Sequence, residues 1–297
     1  CESGFTDLVK IIMKNAANVN IDLNTKDNYD KTAFLCACQK GYTDVVKVFM
    51  ENAATFVIDF NTKDKSGSTG FHWVCESGFT DLVKVFMESA PTYGIDLNTT
   101  KKIPRKGDTG LTAFQNACIK GDSDLVQTFI KNADEFIFDL NTQDNKGWTA
   151  FHYACVWGHS DLVKIFLENA ATVSIDINKK SNEGMTPFHI ACLNGYSDVA
   201  KIFMENRGNL NKNITNDHGE TPLHLACKEG QCEIVQLLLE NTHLENRDVN
   251  AKKIFGETAV ELACRKAIQP LNWNVGKQHC RKGRLNVIKI LMENAAN

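Results

Sequence analysis

The chain has 297 residues, of which 43% are hydrophobic and 23% charged, and its formal net charge is -3. This composition is ordinary for globular proteins and shows no overall bias toward nucleic acid or membrane. No apolar run approaches the roughly 18 residues that a membrane-spanning helix needs, and the first residues do not resemble a signal peptide, so we expect no membrane insertion.

The sequence is a tandem array. The ten residues CESGFTDLVK occur at 1–10 and again at 75–84. One glycine recurs at intervals of 37, 37, 43, 37, 37, 35 and 53 residues, at Gly4, Gly41, Gly78, Gly121, Gly158, Gly195, Gly230 and Gly283. Such a period predicts a solenoid whose units pack only on their neighbours. We predict one domain, 1–297, with a partial repeat at 1–24 and repeats 1 to 7 at 25–61, 62–98, 99–141, 142–178, 179–213, 214–250 and 251–297.

Each repeat predicts two helices and a connecting loop. A threonine that suits a helix N-cap precedes a short apolar stretch, which we call the inner helix. The outer helix begins after the recurrent glycine, as at 43–50, with apolar residues at helical spacing. An extended segment, as at 21–24, and Asp, Asn and Gly turn residues then predict a hairpin-like loop that leads to the next threonine.

At this point the chain resembles a known family, the ankyrin repeats. The residues that carry the resemblance are TPFHIA at 186–191 and TPLHLA at 221–226, which are similar to the family signature T-P-L-H-x-A. The resemblance covers nearly the whole chain and implies an all-α solenoid of about seven repeats after a partial one. Most repeats have 37 residues where the family's usual unit has 33. One added helical turn after the outer helix would account for the four extra residues.

The two ends of the chain are as apolar as its interior copies. End units of a solenoid need polar outer faces. We therefore expect the chain to be a fragment of a longer array that self-associates or frays at its ends. The residues that carry this expectation are Leu8, Val9, Ile11, Ile12, Val287, Ile288, Leu291 and Met292.

Eight of the eleven cysteines occupy a single position of the repeat: Cys1, Cys38, Cys75, Cys118, Cys155, Cys192, Cys227 and Cys264. Stacked helices lie about 8–10 Å apart, whereas bridged cysteines need Cα atoms within about 7 Å. We therefore predict buried free thiols that act as small hydrophobic residues. This predicts a reducing, cytoplasmic location, with the nucleus as an alternative.

Histidines form a second column, at His72, His152, His189 and His224. The resemblance implies that they tether neighbouring repeats by hydrogen bonds, and we expect no metal site. Leu35, Gln115 and Glu261 replace them elsewhere, where we expect a weaker tether. No phosphate-binding loop, metalloprotease helix or nucleophile elbow occurs. We therefore predict no enzyme activity, no cofactor and no small-molecule substrate.

The resemblance also implies a concave partner-binding face, lined by the hairpin tips and the C-terminal ends of the inner helices. We call this surface the inner face. Repeats 3 to 5 place aromatic and apolar residues there, which is typical of a partner site. The alternative is that the two tryptophans fold onto adjacent repeats and close the groove. The candidate partner-binding residues are Tyr29, Leu111, Ile119, Trp148, Val156, Trp157, Met185 and Leu193.

Two insertions interrupt the period, one of six residues near 100–107 and one of sixteen between Cys264 and Gly283. Their basic residues form a candidate patch for an acidic or phosphate-bearing partner, with a solvated basic loop as the alternative. Aromatic interleaving is confined to Trp273, so we do not expect nucleic acid binding. The patch comprises Lys101, Lys102, Arg105, Lys106, Arg265, Lys266, Lys277, Arg281, Lys282 and Arg284.

One asparagine recurs in the hairpins, at a position that resembles the one asparaginyl hydroxylases modify in ankyrin repeats. The four-residue extension changes its spacing to the upstream leucine that those enzymes prefer. The candidate hydroxylation sites are Asn24, Asn61, Asn98, Asn141, Asn178, Asn213 and Asn250.

These patterns together predict a noncatalytic scaffold or adaptor that recognises a protein partner on its concave face. The alternative is the cytosolic regulatory or assembly region of a larger membrane channel or enzyme. A third hypothesis is that the chain is itself an enzyme, but no sequence motif supports it.

Overall fold

The structure is a computed structural model. It describes residues 2–19, 21–101, 110–136, 138–206, 210–241, 258–268, 283 and 285–292. Over these ranges the chain is almost entirely helices and turns, and the one β interaction is an isolated antiparallel bridge between Lys101 and Leu111. The chain divides into two compact units, Cys1–Asn145 and Lys146–Asn297.

The first unit consists of two rows of helices. Its helices are α1 (Glu2–Val19), α2 (Ala33–Lys40), α3 (Thr43–Glu51), α4 (Ala53–Phe56), α5 (Gly70–Glu76), α6 (Thr80–Tyr93), α7 (Ala113–Lys120) and α8 (Ser123–Lys131). The inner helices α2, α5 and α7 pack side by side, and so do the outer helices α1, α3, α6 and α8. Each inner helix also packs on the outer helix that follows it.

The second unit repeats this arrangement. Its helices are α9 (Ala150–Val156), α10 (Ser160–Asn169), α11 (Pro187–Asn194), α12 (Ser197–Glu205), α13 (Pro222–Glu229), α14 (Cys232–Asn241) and α15 (Ala259–Ile268), and residues 285–292 are also helical. The inner helices α9, α11, α13 and α15 form one row, and α10, α12 and α14 form the other. The all-α prediction is therefore confirmed.

The predicted threonine caps begin the inner helices. Thr69 has an extended backbone, and its Oγ1 accepts a hydrogen bond from the backbone N–H of His72. The same cap occurs at Thr32, Thr112, Thr149, Thr186 and Thr221. Pro187 and Pro222 occupy the first turn, where the missing N–H has no helical partner to lose. The sequence thus places the start of each inner helix correctly.

Hairpin-like loops connect the repeats as predicted, but the segments that we expected to be extended contain turns. Residues 23–24 and 60–61 form turns, and the Lys101–Leu111 bridge is the one β pairing in the described ranges. Some hydrogen bonds join the two sides of one loop, as from the Asp27 N–H to the Lys31 carbonyl oxygen at 2.9 Å, and others join the loops of neighbouring repeats. For example, the Lys65 N–H donates to the Tyr29 carbonyl oxygen at 3.0 Å.

Phenylalanines of the inner and outer helices form the centre of each core. Phe71 on α5 lies 5.7 Å from Phe86 of its own repeat and 5.9 Å from Phe129 of the next repeat, measured between ring centres. In the second unit, Phe151 contacts Phe166 at 4.8 Å and Phe203 at 5.4 Å. These inner-helix rings, and Phe34 with Phe86 in the same way, are therefore shared between adjacent repeats, and burying each contributes about 2–3 kcal/mol.

The four extra residues of the long repeats extend the outer helix, as predicted. In repeat 2, α6 runs without interruption for 14 residues. In repeat 1 the 9-residue α3 is followed by the separate 4-residue α4. Both extensions end in a left-handed residue, Gly94 with φ of 63° or Val57 with φ of 48°. A β-branched residue there carries backbone strain that glycine does not.

The prediction of buried free thiols is confirmed for six members of the cysteine column: Cys38, Cys75, Cys118, Cys155, Cys192 and Cys227. Desolvation raises the pKa of each of these thiols for which a shift is resolved, including Cys192 and Cys227, so they stay protonated at neutral pH. Cys264 is half-buried, and the side chain of Cys1 lies outside the described residues.

The first helix exposes apolar side chains that are buried elsewhere. Leu8 and Ile12 of α1 are 52% and 42% exposed, whereas Leu82 and Phe86 at the equivalent positions of α6 are fully buried beneath α5. The described residues contain no inner helix before α1. Self-association and fraying of the ends stay predictions.

The glycines that end helices in the first unit allow a test of two separate costs. Gly41 has φ of 71°, and a Cβ there would lie 2.5 Å from the Phe79 ring of the next repeat, whereas Gly94 has φ of 63° with nothing within 4 Å. We expect Gly94→Ala to lower the free energy of unfolding by about 1 kcal/mol through backbone strain alone. Gly41→Ala should cost about 1–3 kcal/mol more because of the ring contact.

Urea unfolding followed by circular dichroism measures both changes. Equal losses for the two variants would contradict the close approach of Phe79 to Gly41.

Candidate functional site

The signature histidines bridge adjacent repeats. The Thr186 N–H donates to Nδ1 of His189 at 3.2 Å, so the proton is on Nε2, which donates to the Glu220 carbonyl oxygen at 3.0 Å. His152 reaches the Met185 carbonyl oxygen at 3.0 Å in the same way. The predicted tether is therefore present, and its histidines are neutral donors within the fold.

Glutamine replaces the histidine in repeat 3 without weakening the tether. The Gln115 Oε1 accepts from the Thr112 N–H at 2.8 Å, and its Nε2 donates to the Thr142 carbonyl oxygen at 3.0 Å. The corresponding bond of His72, to the Leu111 carbonyl oxygen, measures 3.4 Å. The expectation of a weaker tether at Gln115 is wrong, because the amide carries an acceptor and a donor at the same spacing as the ring.

The recurrent hairpin asparagines form a second ladder between repeats. The Asn61 side chain donates through Nδ2 to the Gly94 carbonyl oxygen and accepts through Oδ1 from the Asp96 N–H, both at 2.8 Å. Asn24 makes the same two bonds to the following repeat, at 3.0 and 3.1 Å. In the second unit Asn178 accepts from the Asn211 N–H at 3.0 Å. These asparagines therefore hold the loops of neighbouring repeats together.

The second unit contains most of the predicted partner-binding residues. Trp157, which follows α9, has 56% of its surface exposed. Val156 and Leu193 occupy the same position in the packed helices α9 and α11, and both are half-buried. These three apolar side chains lie at the C-terminal ends of two packed inner helices.

The other two candidates of this unit are more enclosed than expected. Trp148 is half-buried, with its ring centre 5.3 Å from that of Tyr153 and 6.3 Å from that of His152. Met185 is only 9% exposed, which contradicts its predicted place on an exposed surface. The Asn216 side chain covers its sulfur, with Nδ2 at 3.4 Å. Trp148 is thus partly packed against the fold, as the alternative for the two tryptophans expected. Trp157 is not packed in this way.

In the first unit the predicted residues are dispersed. Tyr29 at a hairpin tip is 68% exposed, while Leu111 and Ile119 are half-buried. The sequence analysis missed Trp73 on α5, whose ring lies beneath Lys31 Nζ at 4.4 Å and Lys101 Nζ at 5.7 Å. The sequence feature that could have indicated this residue is the position of Trp73 directly after the signature histidine His72.

Of the candidate basic patch, only Lys101 has a described side chain, and it forms an ion pair with Glu76 at 3.3 Å. The backbone of Arg265 and Lys266 is helical, but their side chains lie outside the described residues. The remaining members lie outside them altogether: Lys102, Arg105, Lys106, Lys277, Arg281, Lys282 and Arg284. The patch as a whole stays a prediction.

Comparison with known proteins agrees with this geometry. The family model described as ankyrin repeats (3 copies) matches residues 71–178 and 173–253. The chain belongs to the ankyrin-repeat family. Among solved structures it is similar to the ankyrin repeat domain of Bcl-3, described as a unique member of the IkappaB protein family, with a TM-score of 0.69 and 17% identity over 88% of this chain and 98% of that one. At this identity the likeness shows the fold alone. No curated protein matches the sequence.

The described ankyrin repeats lack two kinds of feature. No described helix is both long and apolar enough to cross a membrane. Within the same residues, no three His, Cys, Asp or Glu side chains converge as metal ligands would.

The hairpin asparagines of this ankyrin array stay candidates for hydroxylation. Both polar atoms of the Asn24 and Asn61 amides are engaged in the ladder, Asn213 is exposed, and Asn250 lies outside the described residues. The ladder predicts that these asparagines have a structural role. A substitution of asparagine by aspartate, which replaces only the amide nitrogen by an oxygen, tests this role.

Asn61→Asp replaces the Nδ2 donor with an oxygen that faces the Gly94 carbonyl oxygen. We expect the free energy of unfolding to fall by about 1 kcal/mol, because a solvent-accessible hydrogen bond between repeats is replaced by repulsion between two acceptors. Asn28→Asp, at an exposed hairpin position, makes the same change in charge and is the control. Equal stabilities of the two variants in urea unfolding would contradict the role of Asn61.

The histidine tethers predict a pH dependence of stability. Desolvation lowers the pKa of His72 and of His189 from 6.5 to about 4. Above pH 6.5 these histidines are neutral in both states and have no effect. Between pH 6.5 and 4 the unfolded chain takes up protons that the folded chain does not, so stability falls by up to about 3 kcal/mol per histidine.

His189→Gln keeps a donor and an acceptor, as Gln115 does, but it removes the titrating group. The difference in unfolding free energy between the original chain and this variant should therefore change between pH 7 and about pH 4. Parallel pH profiles would contradict the shifted pKa of His189.

Proposed function

We propose that this chain is a noncatalytic scaffold or adaptor whose inner face binds a protein partner, with Trp157 as the anchor. The observation that carries the proposal is the 56% exposure of the Trp157 ring at the C-terminal end of an inner helix. Members of the ankyrin family present this part of each repeat to their partners, and tryptophan is among the residues that contribute most to interface energy.

The surroundings of Trp157 suit an apolar side chain of a partner. Val156 and Leu193 are half-buried beside it on neighbouring inner helices, so a partner residue would meet apolar surface on more than one repeat. Burying the exposed part of the ring would contribute about 2–3 kcal/mol. The tethered loops and capped helices are already ordered, so binding would immobilise few protein groups.

We also propose that the chain works in a reducing compartment such as the cytoplasm. Six cysteines that are buried as free thiols support this. Disulfides form and persist in oxidising compartments, where free thiols are less common.

Affinity capture from a lysate with the original chain and with Trp157→Ser, read by mass spectrometry, tests the function. We expect a bound protein to be lost with Trp157→Ser while the melting temperature stays within a few degrees, because the ring is exposed and supports no core. Val57→Ser is the control: it also removes an apolar side chain, 80% exposed, but not from an inner helix. Trp148→Ser should instead lower the melting temperature, because Trp148 packs on Tyr153.

Identical captures with the original chain and Trp157→Ser would refute the anchor. A large fall in melting temperature for Trp157→Ser would show that the ring supports the fold rather than a partner.

A further inference from the structure

A tryptophan flanked by two lysines lies on the inner face of the first unit. Lys31 precedes α2 in repeat 1, Trp73 is on α5 in repeat 2, and Lys101 stands at the start of repeat 3. The ammonium groups of the two lysines lie 4.4 and 5.7 Å from the centre of the indole ring. Side chains of three consecutive repeats therefore converge on one ring, and each cation is attracted by its π electrons.

The position of the ring is fixed from the loop beneath it. The Trp73 Nε1 donates to Asp64 Oδ2 at 2.9 Å. The other oxygen of Asp64 accepts from the N–H groups of Ser66 at 2.8 Å and Ser68 at 3.0 Å. These hydrogen bonds lower the pKa of Asp64 although desolvation opposes them. The Asp64 carboxylate is thus used within its own hairpin and does not pair with a lysine in the contacts described.

Positive charge exceeds negative charge around the ring. The Lys31 ammonium donates to the neutral amide oxygen of Gln39 at 2.8 Å. Lys101 pairs with Glu76 at 3.3 Å, and the Lys120 ammonium donates to the Glu76 backbone carbonyl oxygen. Three ammonium groups therefore lie near two carboxylates, that of Asp64 beneath the ring and that of Glu76 beside Lys101. The side chains of Glu76 and Lys101 are 33% and 14% exposed, so they remain in contact with solvent.

We propose that this cluster of Tyr29, Lys31, Trp73, Lys101 and Lys120 binds an acidic peptide segment of a partner protein. A carboxylate would replace the neutral Gln39 amide as the acceptor for Lys31, which exchanges an ordinary hydrogen bond for a charge-assisted one. No existing ion pair has to break. Tyr29, two residues before Lys31 and 68% exposed, offers an aromatic surface to the neighbouring peptide residues.

This site is separate from the surface proposed around Trp157. Its residues all lie in the first unit, whereas Trp157 lies in the second. Loss of acidic-peptide binding and loss of the Trp157-dependent partner are therefore distinguishable results.

Fluorescence anisotropy of labelled peptides tests the proposal. The probe is a glutamate–glycine repeat peptide of about twelve residues, long enough when extended to cross three stacked repeats. The matched peptide with glutamine in place of glutamate controls for contacts that do not depend on charge. Both are titrated with the full chain at low salt and at about 0.15 M salt, because the contribution of exposed charges falls with ionic strength.

Two double variants separate a specific site from general charge. Lys31→Met/Lys101→Met removes the two cations above Trp73 and retains their apolar stems. Lys47→Met/Lys84→Met removes two exposed lysines from the outer helices α3 and α6 and produces the same net charge. Circular dichroism and the melting temperature verify that both variants are folded.

We expect the glutamate peptide to bind more tightly than the glutamine peptide. Lys31→Met/Lys101→Met should weaken glutamate-peptide binding at least about tenfold, and the outer-helix variant by less than about twofold. Equal losses in the two variants, or equal affinities for the two peptides, would overturn the proposal. Stronger displacement of the probe by an oligonucleotide of equal charge than by unlabelled glutamate peptide would also overturn it, in favour of nucleic acid.

Discussion

The phenylalanine contact between adjacent repeats is the interaction on which the rest of the structure depends. Phe71 touches a ring of its own repeat and a ring of the next one, and Phe151 does the same in the second unit. A single repeat offers only half of the surface that its inner-helix ring needs to leave water. Within each unit, therefore, a repeat is stable only as part of a stack.

The polar groups follow the same rule. Side chains of the histidine column and of the hairpin asparagines form hydrogen bonds to the following repeat, namely His72, His152, His189, Gln115, Asn24, Asn61 and Asn178. Buried polar groups must be paired, so the loops acquire a fixed position only when the next repeat is present. Within each unit the hairpins and inner-helix ends are thus held in place by bonds that leave exposed side chains such as Tyr29 and Trp157 free to differ between repeats.

This freedom explains why the two units present different chemistry at equivalent positions. The residue before the capping threonine is Lys31 in repeat 1 and Trp148 in repeat 4. The residue after the column cysteine is Glu76 in repeat 2 and Val156 in repeat 4. One scaffold therefore supports a charged, aromatic cluster in the first unit and an exposed tryptophan with apolar neighbours in the second.

The sequence by itself determined the repeat, the helix pairs, their threonine caps and the buried thiol column. It could do so because these features depend on local propensity and on a period that recurs every few tens of residues. The histidine tethers also followed, but only through the resemblance to a family.

Only the tertiary structure decided which side chains of the inner face are accessible. Met185 and Trp148 occupy the same repeat position, yet one is covered by the Asn216 side chain and the other lies half-buried against its own helix. The meeting of Lys31, Trp73 and Lys101 could not be derived from the period, because the insertion in repeat 3 removes Lys101 from the aligned columns. The exposure of a side chain and the contacts it makes depend on residues of other repeats. A periodic sequence indicates which positions are equivalent, but it does not indicate which side chains come into contact.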